Sequence, residues 1–596
     1  VSLIKYSFFA YLLLIALSIG AYLVARTVPT PRRADTLYTT FGGGIKSFDP
    51  VAIADVAASD IAGHVYETLY NYRYGGKTDE LFPQLAADFP VISDSGLTYT
   101  IPLRHGVRFY DPWKRIWPDG VGPEMTARDV IYSWKRLADF RNAAPSYSTI
   151  LQGNIAGLDD FFDYTQKQAE ADQPVDYDRP VEGLSSPDPY TLVVRLTKPI
   201  PNFPQLMAYL GIAIVPRDAI EKLPERDRLN EKPIGTGPYA MVEYQPDQRI
   251  VFEANPVYRG APDVDGGTSL SPEQRLPHIA RVQYDFVSEP LPAWYQFLRK
   301  RYDVSSIPKD TFSQAINPDH TLKPELSRRG IELRIAPDLG LYYLQFNMTD
   351  KVVGQNAPLR QAISLCIDRD KYIRTYLNGR ARPATGVLPP DAPLFSDAYR
   401  GPWARFDIEA ARSKVDQARR LASGTLPKLK LQMMGADTSE RQEGEFFAAC
   451  MRAVGLDVDA EFNTYPEYLR KLDTKDYQIA FGGWYPDYPD EKTYLRLFDA
   501  TLAKPPGSNT SGYVDAEYQS LLEKSLVMTR SPERDRVYLQ LAAIVDRDLP
   551  IAPLYYPLRY GLRYNWLSNI RPAYYNQAFI AHWKLDAEAR RKAQSE

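Results

Sequence analysis

PKLKLQMMGADTSERQEGEFFAACMRAVGLDVDAEFNTYPEYLRKLDTKDYQIAFG, residues 427–482, carries the pattern that decides the fold. KLKLQMM at 428–434 predicts a strand, and a helix is expected over about 439–454. LDVDAEF at 456–462 predicts a second strand, about 466–474 a short helix, and YQIAFGG at 477–483 a third strand. The order β-α-β-α-β joins strands by helical crossovers, which favours parallel pairing within an α/β lobe.

Working outward, strand-like alternation occurs in LTYTIPL (97–103) and YTLVVRL (190–196), and β-rich runs occur at 249–253, 279–287, 331–336 and 341–347. One helix is expected over about 358–377, with Pro358 in its first turn, an apolar face of Leu359, Ala362, Ile363, Cys366 and Ile367, and Gly379 at its stop. A helix at 533–547 precedes IAPLYYPLRYGL (551–562), read as a strand returning to the body. No flexible linker marks a lobe boundary, so several ordered hinge strands are expected to join the lobes.

The 596 residues exceed what one compact lobe needs. Apolar residues make up 44% and charged residues 24%, which places the chain among globular proteins. The net charge of −3 comes from interspersed signs, and no basic stripe points to nucleic acid. The 42 Tyr residues suit strand and core positions, and some suit a wet cleft. The two cysteines, Cys366 and Cys450, lie among apolar residues, so buried free thiols are the default; a disulfide between them stays open. Residues 6–25, YSFFAYLLLIALSIGAYLVA, are uncharged and long enough to cross a bilayer as a helix. An uncleaved anchor is favoured over a cleaved signal, because the run is long and bulky Tyr22 and Leu23 stand near its end. Val1 fits an alternative initiation codon, with residue 1 as the start.

No constellation for catalysis stands out. The five histidines (His64, His105, His278, His320 and His582) have no metal-ligand spacing, and no nucleophile elbow occurs. IGTGPY (234–239) lacks the Lys and Ser/Thr of a phosphate loop and reads as turn punctuation. Binding without chemistry, and no cofactor or metal, is the expectation.

Several motifs, taken in order, resemble one known family. They are FDPVAIADVAASDIAGHVYETLY (48–70), LTYTIPLRHGVRF (97–109), MTARDVIYSWKRLAD (125–139), GTGPY (235–239), APLRQAISLCIDRDKYI (357–373) and FGGWYPDYPDEKTYLRLF (481–498). Over residues 38–583 the chain is similar to the peptide/nickel-type (family 5) solute-binding proteins that serve ABC transporters. The resemblance implies a two-lobed α/β periplasmic-binding-protein fold of type II with an extra subdomain. Its implied divisions are lobe I at 35–339 with the subdomain at about 71–185, lobe II at 340–554, and a return with tail at 555–596, behind the N-terminal segment 1–34. Within the motifs, Thr126 and Asp129 form a capping pattern. DPWKRIWPDGVGPEM (111–125) is longer than the family's usual turn and reads as a surface insertion.

The resemblance also implies a ligand site. Asp487 matches the carboxylate that pairs with a peptide's α-ammonium, and Gly482, Gly483, Trp484 and Tyr485 surround it at the end of a strand. Strand ends are where crevices form in open α/β sheets. Gly482–Trp484 would pair with an extended peptide as an added strand. Val56, Ala57 and Ser59 would line the opposite side, with Tyr147 in a pocket. Asp490, rather than Asp487, suits the cap of a helix starting near Glu491. Phe481 stands where oligopeptide binders have an arginine, and Gly340 and Tyr485 where they have a disulfide. The implied function is an extracytoplasmic receptor, anchored or exported at the outer face of a bacterial inner membrane. It would act as a monomer, not as an enzyme, closing on peptides and delivering them to an ABC permease. The rival is an anchored peptide sensor uncoupled from transport.

Overall fold

The computed structural model describes residues 33–42, 45–53, 56–77, 79–224, 229–260, 275–390, 392–486, 488–504, 507–571, 573, 575 and 578–595. The stretch 427–482 folds as its pattern requires. Strand Leu429–Met433 lies parallel to Val458–Phe462 on one side and to Ile479–Trp484 on the other. The crossovers are helices Thr438–Ala453 and Tyr465–Asp473. Asp437 starts the first of these, its carboxylate accepting from the Glu440 amide at 2.9 Å. That helix buries Phe447, Ala448 and Met451 against the sheet. Burial of each large side chain contributes roughly 1.5–3 kcal/mol.

These strands belong to a larger mixed sheet, in the order Val304–Ser306, Ile551–Tyr564, Leu341–Phe346, Ile479–Trp484, Leu429–Met433, Val458–Phe462. Ile551–Tyr564 is long enough to serve two bodies. Its first half pairs antiparallel with Leu341–Phe346 and Ala381–Pro383, and its second half with Ile331–Pro337 and Val304–Ser306. The hydrophobic core divides accordingly. One cluster gathers residues from Leu37 to Ile331 together with Tyr560–Leu567 and Ile580–Trp583. Two adjoining clusters, one around Phe447 and Phe481 and one around Tyr518 and Leu541, fill the body between Leu341 and Tyr556. The result is a two-lobed α/β fold crossed by ordered strands.

In the first lobe, Thr36–Phe41 runs parallel to Arg281–Phe286, followed by antiparallel Arg249–Ala254 and Tyr239–Gln245. A separate antiparallel sheet, Val91–Ser93, Thr98–Pro102, Thr191–Arg195 and Leu184–Asp188, carries helix Ala127–Leu137. Asp129 accepts from the Thr126 amide at 2.8 Å, as the capping pattern anticipates. The chain's last helix, Ala587–Ser595, is tied into this lobe. Arg590, 3% exposed, bonds Asp303 at 3.1 Å, and Asp303 also accepts from the Trp566 indole and the Tyr38 amide.

One expectation needs amendment. The helix expected over 358–377 is two, Ala357–Leu365 and Arg369–Tyr376. Asp368 starts the second by accepting from the Lys371 amide at 2.8 Å, so a side-chain cap competes with helix continuation. The 111–125 insertion closes the hairpin Arg108–Tyr110/Val121–Glu124, with Asp111 fully buried and holding the Arg115 amide at 2.6 Å. The apolar run 6–25 lies outside the described residues; among those described, no helix is long and apolar enough to cross a membrane.

Candidate functional site

The strand Ile479–Trp484 has one edge fully paired, to Leu341–Phe346. On its other edge Leu429–Met433 pairs only with Ile479 and Ala480. From Phe481 onward that edge has no strand partner among the described residues. The Phe481 carbonyl accepts from the Tyr468 hydroxyl at 2.8 Å. Strand alternation then turns the backbone groups of Gly483 to the same side as those of Phe481.

The two glycines have local reasons as well. A Cβ on Gly483 would stand 2.8 Å from the Tyr342 ring, and one on Gly482 would stand 3.2 Å from the Tyr468 hydroxyl. Trp484 packs its ring against the second lobe's core, with its Nε1 buried and unpaired among the described residues. Tyr485 is 43% exposed and lies over Gly340, where a Cβ would meet its ring at 2.9 Å. Asp487 lies outside the described residues. Asp490 accepts from the Lys492 amide at 2.9 Å at the start of the short helix Lys492–Leu495, whose N-cap position is Glu491, and it also pairs with Arg534 at 3.2 Å.

The first-lobe segment expected to line the other side of a ligand is helical. Val56–Ala62 is a helix, so the chain there presents side chains rather than a pairing edge. Ser59 is half-buried, and the side chains of Val56 and Ala57 are outside the description. On the same helix, crowding by surrounding protein pushes the Asp60 carboxyl up to about 6, against the pull of Arg559. Arg559, on the long crossing strand, bonds Asp338 at 2.6 Å, and Asp338 lies 3.5 Å from the Tyr485 hydroxyl. Asp60, Asp338 and Arg559 therefore form a charged set where the lobes meet, which sequence reasoning missed because their positions are far apart in the chain.

The second-lobe floor is aromatic and acidic. Tyr342 and Tyr555 stack at 4.7 Å, with Tyr485 edge-on to Tyr342 at 6.2 Å. Glu440 and Glu443 stand on the first two turns of helix Thr438–Ala453, at the C-terminal end of strand Leu429–Met433. Tyr372 donates to Glu443 at 2.7 Å, while Glu440 has an enclosed Oε2 with no hydrogen-bond partner among the described residues. Burial, then Glu443 and Asp437, pushes the Glu440 carboxyl up to about 7. Phe481 does not project into this space; it is 2% exposed and packs on Phe447 and Tyr342.

Tyr147 sits in the subdomain's core, 4% exposed, stacked on Phe162, its hydroxyl committed to Asp159 at 2.6 Å. The histidines occupy structural settings: His64 bonds the Tyr284 hydroxyl at 2.8 Å, and His582 stacks on Tyr74. No cluster of three or more metal-binding side chains occurs among the described residues. Cys366 and Cys450 are free thiols; burial pushes the Cys366 thiol up strongly and that of Cys450 to about 11.

The fold has counterparts among known proteins. The periplasmic oligopeptide-binding protein OppA of Escherichia coli is 25% identical over 573 residues, 95% of each chain. The murein tripeptide-binding protein MppA in its unliganded open form superposes with a TM-score of 0.71 at 21% identity, over 92% of this chain and 97% of that one. The DppA protein of Helicobacter pylori, solved with the peptide STSA, gives 0.68 at 22% identity, over 92% and 98%. Residues 80–504 match the bacterial extracellular solute-binding proteins, family 5, and with a two-lobed fold whose charged and aromatic walls meet at a strand end, this chain belongs to that family.

Proposed function

We propose that this chain is a receptor that captures short peptides between its lobes, outside the cytoplasm, and hands them to an ABC import permease. The observation that carries this reading is the edge of Ile479–Trp484, which beyond Ala480 has no strand partner among the described residues. An extended peptide can add there as a strand, with Gly483 supplying backbone groups and Trp484 and Tyr485 flanking it. Asp487 holds the peptide's α-ammonium; a charge-assisted bond of that kind contributes roughly 1.5–3 kcal/mol. Val56, Ala57 and Ser59 face the ligand from the first lobe. Tyr147, spent on Asp159, is not among the contacts. The relatives' names support peptides as the ligand class, since they bind oligopeptides, a tripeptide and the peptide STSA.

The floor of the crevice refines the ligand. Burial, Glu443 and Asp437 all raise the Glu440 carboxyl, and Phe481 is packed in the core. The surroundings of Glu440 are therefore suited to a ligand cation, a lysine or arginine side chain, over a carboxylate. The segment 6–25 serves as the anchor that keeps the receptor near its permease and raises its effective concentration.

Native mass spectrometry of the purified chain with its co-purified ligand tests the reading, repeated with Asp487→Asn. Peptides with free N-termini are expected on the wild type and at least about tenfold weaker binding on the variant. Equal retention by both forms removes the ammonium role, and recovery of only non-peptide ligands removes the peptide reading.

A further inference from the structure

The last helix, Ala587–Ser595, lies beside the residues that follow the N-terminal segment. Arg590 donates to the carbonyls of Ala34 at 2.6 Å and Arg33 at 3.2 Å. Towards the end of that helix, Lys300 donates to the Ala593 carbonyl, and the Gln594 side chain donates to the Lys300 carbonyl at 2.9 Å. Arg329 in turn donates to the Leu298 carbonyl. Residues 33–34, 298–300, 329 and 587–595 therefore form one continuous piece of the first lobe, although they are distant in sequence.

That piece is basic. Arg299, Arg329, Arg591 and Lys592 are exposed, and Lys300 is half-buried. Among the described residues none of the five meets a carboxylate; Lys300, Arg329 and Arg591 each spend one donor on a main-chain carbonyl and keep their charge. Most nearby acids are already matched. Asp35 pairs with Arg33 at 2.8 Å, Asp303 with Arg590 at 3.1 Å, and Glu325 lies 3.9 Å from Arg328. Asp586 and Glu588 stand at the opposite end of the last helix, where Asp586 accepts from the Ala589 amide at 2.9 Å. Glu289 stands at the start of helix Pro290–Leu298, away from Arg299. Outside the described residues the sequence adds Arg26 and Arg32 on one side and Glu596 on the other. Positive charge is therefore in surplus.

Apolar groups flank the charge. Helix Pro290–Leu298 runs into Arg299, and Leu291 and Tyr295 share one of its faces at 38% and 52% exposed. A ring with a polar tip, set beside cations, suits a lipid–water boundary. Chain length also limits how far this surface can stand from a bilayer. From Ala25, the last residue of the apolar run, to Arg33 the chain can extend by at most about 29 Å. An anionic surface attracts cations that come within about 8–10 Å of it at physiological salt.

We propose that this basic surface docks on anionic lipid headgroups of the membrane that holds the anchor, so that the receptor rests on the bilayer in one orientation. The proposal rests on the anchor reading of residues 6–25 and is independent of the ligand. The tether raises the local concentration of the surface at the headgroups, so weak contacts suffice.

Acetylation footprinting of the full chain reconstituted in vesicles tests it. One set of vesicles is phosphatidylcholine alone, and the other contains about one-third phosphatidylglycerol. Lys592 should react at least about threefold more slowly in the anionic vesicles, and the protection should fade at high salt. Lys428 and Lys524, exposed on the second lobe, should keep one rate in both. In Arg299→Gln/Arg591→Gln, two exposed changes, Lys592 should return to within about twofold of its neutral-vesicle rate. Equal Lys592 rates in the two vesicles overturn the docking surface, as does protection that persists in the double variant or appears only when a partner protein is added. Flotation of the same samples separates this from the anchor. A chain that fails to float with phosphatidylcholine removes the anchor reading; flotation with the anionic vesicles alone, lost in the double variant, supports the surface without it. A chain that floats with neither removes both.

Discussion

Glu440 illustrates how surroundings change the chemistry of one carboxyl. In the sequence it is the third residue of a helix opening, an unremarkable place for an acid. In the fold it is half-buried beside Glu443, with one oxygen unpaired and its carboxyl raised to about 7. A cationic ligand favours the ionised form, so binding expels a proton and affinity should climb as pH rises from 6 to 8. Calorimetry with a lysine-containing tripeptide should show that rise, and Glu440→Gln should flatten it and lower the pH 8 affinity by about tenfold. Asp546 is a contrasting case without a ligand. It is 3% exposed, accepts from Tyr399 at 2.8 Å, and is pushed up to about 7 by burial. Its folded value lies above the unfolded one of about 3.9, so its contribution to stability is complete below that value and is lost as pH rises through 7. Urea unfolding should therefore show the wild type losing roughly 2 kcal/mol relative to Asp546→Asn between pH 5.5 and 8.

At the scale of the element, the strand Ile479–Trp484 combines two demands. Its apolar half, Ile479–Phe481, is buried and fixes its place in the sheet. Its glycine half gives room to Tyr342, which stacks on Tyr555 and floors the crevice. Gly483→Ala should force that ring aside and cost about 1–3 kcal/mol in urea unfolding. Removing the ring with Tyr342→Ala should abolish most of the added cost, because the collision partner is gone. The strand, its parallel neighbours and their crossover helices were legible because period, length and turn residues agree along 427–482. The break between Ala357–Leu365 and Arg369–Tyr376 was not, since the apolar face runs through it and only the Asp368 cap interrupts it.

At the scale of the molecule, the two lobes share Ile551–Tyr564 and the neighbouring run Ile331–Phe346, so closure must bend paired strands rather than swing a free linker. Helix Ala587–Ser595 is tied into the first lobe through Arg590. Asp303 and Arg590 are buried together at 3.1 Å, and Trp566 and Tyr38 complete the aspartate's bonds. Arg590→Ala would strand a buried carboxylate; a loss of roughly 3–5 kcal/mol is expected, read as an earlier urea transition of the first lobe. Conservative replacement of surface partners such as Arg412 and Glu409 should change stability by less than about 1 kcal/mol.

The sequence by itself determined the α/β class, the parallel order around 427–482, the capped helix at Thr126, the returning strand and the family motifs. Each of these rests on neighbours within a few turns or strands, where periodicity and capping are written locally. The tertiary structure alone decided which groups meet between the lobes. Asp60, Asp338 and Arg559 are drawn together from three distant segments, Glu440 becomes an acid with an unpaired oxygen, and Tyr147 is spent on Asp159 within the subdomain. The physical reason is that burial and charge neighbourhood are properties of packed space; a chain pattern sets which face of an element is apolar, and only packing sets what that face, and the polar one, will touch.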